Sequence, residues 1–218
     1  LVPFNPEGAE WSVAADGPTK LGYARALASE LQRRVWPGST LLFCPGKRYD
    51  GEVNPRWVLR LITGANAEPL VRWPQDIHDT PTAEPLPNAE EAEAFLQRIG
   101  NSLLGPVQPL QLRDPLQPER AVWALPLSCN DAGQWQSVAW QLAEPLRQLS
   151  RAPGPAGLRL PLEHFPAGAL QQVLTLECDG QGWGLFLPPL ARQPLEQLLQ
   201  LIAAQSAGWQ KPDLSGVL

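Results

Sequence analysis

The sequence predicts an α+β fold, a mostly antiparallel sheet with packed helices. Three observations point to it. Short apolar runs bounded by Gly, Pro and Asn recur in adjacent pairs, as hairpins do. Longer stretches carry apolar residues at spacings of three and four, the helical period. The elements follow the order helix, strands, helix, strands, helix, which differs from the regular alternation of a parallel α/β sheet.

Residues 1–16 are irregular, with Pro3, Pro6 and Gly8. A helix starts at "DGPTK", with Asp16 or Gly17 as cap and Pro18 in the first turn, where its missing N–H costs nothing. Its apolar side is Leu21, Ala24, Leu27, Ala28, Leu31 and Val35, and "WPGS" (36–39) ends it. "TLLFC" (40–44) reads as a buried strand. "WVLRLIT" (57–63) and "PLVRW" (69–73) flank "GANAE" as a hairpin would. Residues 74–87 are Pro-rich linker. Asn88 with Glu91 has the spacing of a capping box and opens a helix through Ile99.

Past a Pro-punctuated passage (105–118), "RAVWALPLS" (120–128) and "WQSVAWQL" (135–142) are expected strands, and "GLRLPL" (157–162) a brief one. "QVLTLEC" (172–178) and "WGLFLPP" (183–189) bracket "DGQG", a strong hairpin signal. "QPLEQLLQLIAAQS" (193–206) is an amphipathic helix, followed by a polar tail. We read residues 1–218 as one α+β domain with a sub-boundary near 105–118, since the first part holds nearly all the clustered charge.

Composition narrows the function. At 218 residues and 44% hydrophobic content the chain can bury a core without staples. A net charge of −5 argues against nucleic-acid binding, which needs a basic face. No apolar stretch reaches the length of a membrane helix. Cys44, Cys129 and Cys178 are dispersed, which suits a reducing, cytoplasmic setting better than a disulfide framework. The chain has no Met, not even a first one, as expected of a piece of a longer protein.

Two stretches could carry chemistry. In "GAEWSVAADGPTK" (8–20), Thr19 and Lys20 stand at a helix start whose N–H groups could cradle a phosphate, and Glu10 lies upstream. The bland alternative is an ordinary cap with a solvated lysine. In "CPGKRYDGEVNPRWVLRLIT" (44–63), Lys47, Arg48, Asp50, Glu52, Arg56 and Arg60 are gathered beside a turn and a strand. Lys47, Arg48 and Arg56 could hold a polyphosphate, and Asp50 and Glu52 supply the hard oxygens Mg²⁺ prefers. A solvated, charged hairpin tip is the competing reading. His78 and His164 are too few for a zinc site. Cys44 follows "LLF" and reads as a buried thiol; Trp123, Trp135, Trp140 and Trp183 read as packing rather than as a ligand groove.

"GAEWSVAADGPTK", "PGKRYDGEVNPRWVLRLIT" and "PLVRWP" (69–74), followed in order by "APGPAGLRLPLEHFP" (152–166) and "WGLFLPPLARQPLEQLLQLIAA" (183–204), resemble successive blocks of the amidoligase family associated with bacterial transglutaminase-like proteins. That family is grouped with the glutamine-synthetase-like carboxylate–amine ligases. The resemblance implies a shortened or partial member: the sequence opens at Leu1, just after the point where the family carries a Gly-Glu-Pro-Thr-like segment, and "GPVQPLQLRDPLQPE" stands in place of an aromatic and arginine-rich segment. It implies a glutamine-synthetase-like fold, ATP and Mg²⁺, an acyl phosphate made from a peptide or small-molecule carboxylate, and attack by an amine. Glu52 would hold metal and Arg56 phosphate or the substrate carboxylate; Glu10 is a second metal ligand, and Thr19, Lys20, Lys47 and Arg48 face phosphate. The alternative, from a different class, is a non-catalytic α+β module that partners a transglutaminase-like domain.

Overall fold

The computed structural model describes residues 18–46, 56–74 and 84–216. They fall into two compact units that divide between Leu70 and Val71. Among the described residues, three helices and mostly antiparallel strand pairs give the expected α+β class. Among the described residues no helix is long and apolar enough to cross a membrane.

In the first unit, α1 (Pro18–Arg34) opens with Pro18 and closes with Arg33 and Arg34, cations at the negative end of the helix dipole. Ala28 is its buried contact, with Leu21, Ala24 and Leu31 half-buried. Leu27 and Val35, expected on the packed side, are 62% and 52% exposed. At about 100° per residue Leu27 sits at the margin of the stripe, and Val35 falls past the last helical residue. β1 (Thr40–Pro45) and β2 (Trp57–Ile62) form an antiparallel pair in which Thr40 faces Ile62 and Pro45 faces Trp57.

The expected strand over 69–73 does not form. The chain turns through a short 3-10 segment, Ala65–Ala67, with Asn66 and Ala67 at φ 59° and 60°. Gly64 N–H donates to Glu68 O at 2.6 Å, which closes the turn on itself instead of starting a ladder. Pro69 then brings no N–H for pairing. It lies against Gly38, where a Cβ would stand 2.5 Å from Pro69 Cγ.

The second unit is built on strands in the order β9-β8-β7-β4-β3. They are β3 (Leu110–Leu112), β4 (Ala121–Pro126), β7 (Val173–Asp179), β8 (Gly182–Leu187) and β9 (Asp213–Gly216), while β5 (Ser128–Cys129) and β6 (Trp135–Gln136) pair separately. β7 and β8 are the expected hairpin: Asp179 Oδ1 accepts the N–H groups of Gln181 and Gly182 and pins the turn. α2 (Ala89–Leu104) starts with the expected capping box, Asn88 Oδ1 accepting from Glu90 and Glu91 N–H while Glu91 accepts from Asn88 N–H. It runs five residues past Ile99 before Gly105, at φ 90°, ends it.

α2 buries Ala92, Phe95, Leu96, Ile99 and Gly100, and α3 (Arg192–Gln205) buries Leu195, Leu198, Leu199, Ile202 and Ala203, both at spacings of three and four. Both faces of this sheet are covered. Trp123 and Leu125 of β4 turn toward α2, with Trp123 Nε1 donating to Ala89 O at 3.1 Å. Val122 and Ala124 turn the other way, into a cluster with Trp140, Leu142, Leu149, Leu160, Val173 and Phe186. Trp123, Trp140 and Trp183 are buried, with each indole N–H on a backbone carbonyl, as the packing reading required, whereas Trp135 is half-buried and donates to Gln197 Oε1 at 3.0 Å.

Three details depart from expectation. Of "WQSVAWQL", Trp135–Gln136 alone is strand, and 137–142 has no regular structure. "GLRLPL" is not a strand but part of two 3-10 turns, Ala156–Leu158 and Leu162–His164. There, Arg159 N–H turns back to Ala156 O and Pro161 withholds a donor. The polar tail contains β9, which pairs parallel with β8 after the α3 crossover. Glycines allow that approach: a Cβ on Gly184 would lie 3.0 Å from Asp213 O.

Candidate functional site

The β1–β2 pair continues one step beyond its last register pair. Gly46 N–H donates to Arg56 O at 2.7 Å, closing the ends of the segment 47–55. A Cβ at position 46 would stand 3.1 Å from Arg56 O and 3.2 Å from Arg56 Cβ, so glycine is what lets the two backbones approach. This bond fixes where the charged segment enters and leaves the hairpin.

Lys20 lies in the first turns of α1 and is half-buried; Arg56 is exposed at the start of β2. Both belong to the first unit. Thr19 lies in α1. Glu10, Lys47, Arg48 and Glu52 lie outside the described residues, as does Asp50. The structure thus brings together the two ends of the segment that holds Lys47, Arg48 and Glu52, and it places Lys20 and Arg56 on the same unit.

The strand pair has two distinct faces. Leu42 and Cys44 are buried, and directly opposite them Arg60 and Val58 are exposed. Arg60, which alternates within an apolar strand, therefore reaches out on this face beside Cys44. Burial pushes the Cys44 thiol up, and the Arg60 charge only partly offsets it. Cys178 is pushed up to about 11, first by burial and then by Asp179, and burial also raises Cys129. These thiols stay protonated near neutral pH, which removes them as nucleophiles.

Lys20, Arg56 and Arg60 are cations, whereas Glu30 is held by Arg33 and Arg34 at 2.6 and 2.7 Å. Among the described residues no group of three or more His, Cys, Asp or Glu gathers as a metal site would. His164 has Glu163 at 3.8 Å as its neighbour.

Sequence reasoning passed over a charged cluster in the second unit. Asp114 and Arg159 form a bidentate pair at 2.6 and 2.8 Å, with side chains 0% and 4% exposed. Arg159 Nε also donates to Ser150 O. Arg159 holds the Asp114 carboxyl below the usual carboxylate range against the opposing effect of burial. Glu177 on β7 has the opposite fate: burial raises it, although Ala156 N–H and the Arg120 and Arg159 charges pull it down. Arg120 binds Asp179 at 2.8 Å and lies 3.7 Å from Glu177. The signal was an arginine inside the apolar run "GLRLPL" and a glutamate inside "QVLTLEC". This cluster staples loops to the sheet and offers no open reacting position.

No curated protein and no solved structure matches the chain. A family match does cover residues 4–113, just over half of the 218 and inclusive of every candidate from Glu10 to Arg56; the resembling blocks at 152–166 and 183–204 lie beyond it. On that match, the chain belongs to the family described as "Putative amidoligase enzyme (DUF2126)".

Proposed function

We propose that this chain carries out ATP-dependent joining of a carboxylate to an amine, with the reacting groups gathered at the open end of the β1–β2 hairpin. The observation that carries the reading is the family match over residues 4–113, which includes all the candidate residues. The Gly46–Arg56 bond supports it by pinning both ends of the charged segment to one strand pair. In the reaction, a carboxylate oxygen of a peptide or small molecule attacks the γ-phosphorus of ATP and ADP leaves. The amine nitrogen then attacks the acyl carbon, phosphate leaves, and the nitrogen loses a proton to give the amide.

Such chemistry depends on positioning and charge neutralisation more than on a protein nucleophile, in keeping with thiols that stay protonated. Lys20, Lys47 and Arg48, with the Thr19 hydroxyl, are assigned to the phosphates. Arg56 is assigned to the phosphate in transfer or the substrate carboxylate, where a guanidinium binds bidentately. Glu10 and Glu52 are assigned to Mg²⁺, which supplies neutralisation of phosphate oxygens when bound. Cytoplasmic placement belongs to the same proposal, since free thiols suit a reducing compartment.

The test is a melting curve with and without millimolar Mg-ATP. A ligand at about 100 times its Kd stabilises the folded state by about 2.7 kcal/mol. For a chain of this size that raises Tm by about 5–10 °C. Glu52→Ala should abolish the rise. An unmoved curve for the native chain overturns the ligase reading and leaves the non-catalytic module that partners a transglutaminase-like domain.

A further inference from the structure

The segment that leaves β6 has the features of an unused sheet edge. Among the described residues, the backbone N–H and C=O groups of Val138, Ala139, Trp140 and Gln141 enter no hydrogen bond. Val138, Ala139 and Gln141 are exposed, whereas Trp140 and Leu142 are buried and fix the segment to the core. Trp140 Nε1 donates to Leu170 O at 2.9 Å and its ring lies 4.6 Å from that of Phe165. A row of unpaired backbone groups held in place by buried anchors is a template for one more strand.

Two cavities open along the same segment, with Ala139 and Trp140 lining both. One, of about 440 Å³, is also lined by Leu110, Leu125, Pro126 and Arg147. The other, of about 300 Å³, is apolar, with Val138, Leu142, Phe165 and Pro166. The first is within the size range of small-ligand sites.

Charge sets the occupant. Arg147 is anchored through Nε to Leu142 O at 2.9 Å and through Nη1 to Glu144 at 3.0 Å. Its Nη2 has no partner among the described residues. Glu144 is shared with Arg113 at 2.7 Å, so two guanidinium groups face one carboxylate and the trio keeps a net positive charge. That favours a carboxylate in the first cavity and an aliphatic group in the second.

We propose that Val138–Gln141 is a docking edge for an extended acidic peptide, which adds as a strand and seats a carboxylate side chain beside Arg147 and an aliphatic one against Phe165. It requires neither ATP nor the hairpin of the first unit, and Val138–Gln141 and Arg147 lie beyond the residues that the family match covers, although Leu110 and Arg113 fall within them.

The probe is a fluorescein-labelled octapeptide pool randomised among glutamate, valine and leucine, with a matched pool carrying lysine in place of glutamate. Anisotropy should show the acidic pool bound about tenfold or more tightly than the lysine pool, with the difference falling as salt rises. Arg147→Gln and Arg147→Lys should each weaken the acidic pool by about tenfold. Because Arg147 also anchors Leu142 O, the deciding measurement uses the native chain: amide exchange at Val138–Gln141 should slow about tenfold or more when the acidic pool is added. Equal binding of the two pools, or exchange that stays unchanged while the pool binds, overturns the proposal. Two further results would also overturn it: saturation by N-acetylglutamate alone, which marks a small-carboxylate site, or concentration-dependent dimers that exclude the peptide, which mark a second copy as the occupant.

Discussion

Replacing Asp114 by Ala should cost the second unit about 3–5 kcal/mol, the range for removing one partner of a buried ion pair. The geometry supports the upper part of that range. The Arg159 guanidinium, 4% exposed, would lose both carboxylate bonds and keep Ser150 O as an acceptor. Arg cannot shed its charge by deprotonation, so the buried cation stays charged at every accessible pH, with the Glu177 carboxyl as the remaining acid that feels it. At about 2–4 °C per kcal/mol the Tm should fall by about 6–20 °C.

Arg159→Met tests the other side of the pair and should behave differently with pH. It leaves a buried carboxyl that can take up a proton, so its cost should shrink as pH falls from 7 toward 5. In the native pair the Asp114 pKa lies below its unfolded value of about 3.9, so its contribution is complete above that value and lost as pH falls through the folded pKa. Asp114 itself therefore gives the cost of Asp114→Ala no pH dependence above that value; its removal also takes away a charge that raises Glu177, so the cost should shrink as pH rises through the Glu177 titration. Urea unfolding followed by tryptophan fluorescence at pH 5, 6 and 7, on both single variants and the double variant, provides the assay. A cost for Asp114→Ala below about 1 kcal/mol, or single-variant costs that add within about 0.5 kcal/mol, would refute a coupled buried pair.

Glu177→Gln should act in the opposite direction. Burial raises the folded pKa of Glu177 above its unfolded value of about 4.3, so the native residue costs stability increasingly as pH climbs through that interval. Gln keeps an acceptor for Ala156 N–H, so it should raise Tm at pH 7 and melt with the native chain near pH 4; an unchanged or lower Tm at pH 7 would contradict the reading. Gly157→Ala should destabilise by about 1–3 kcal/mol by overpacking, since its Cβ would fall 2.0 Å from Cδ1 of the buried Phe186 ring. Urea midpoints within about 0.5 kcal/mol of native would show that the ring yields.

Where local chemistry settled an element, the sequence was enough. Asn88 and Glu91 specify a helix start through two side chains three residues apart, and the cap forms as expected. The "DGQG" turn likewise carries its own acceptor in Asp179. What escaped depends on distant partners. β9 has no strand-forming composition; it pairs because Gly184 and Gly216 let two backbones close against β8. "WQSVAWQL" alternates like a strand, yet among the described residues its backbone over Val138–Gln141 enters no hydrogen bond. "GLRLPL" has strand composition, but the guanidinium in its middle is committed to Asp114, 45 positions away. For the candidate site, residue types and order were legible, whereas Arg60 beside Cys44 required the register.

Charge accounting separates the candidate chemistry from scaffold. In the second unit Asp114, Asp179, Glu144 and Glu196 each hold an arginine, and Glu177 is raised by burial. Charges used in this way explain loop anchoring and are poor material for turnover, because breaking any buried member leaves its partner unpaired. The segment between Gly46 and Arg56 is different in kind. It concentrates Lys47, Arg48, Asp50 and Glu52 in six positions of a segment that the hairpin ties at both ends, within the stretch that the amidoligase family match covers. If Glu52→Ala and the native chain respond equally to Mg-ATP, that concentration is a solvated tip and the phosphate assignment falls with it.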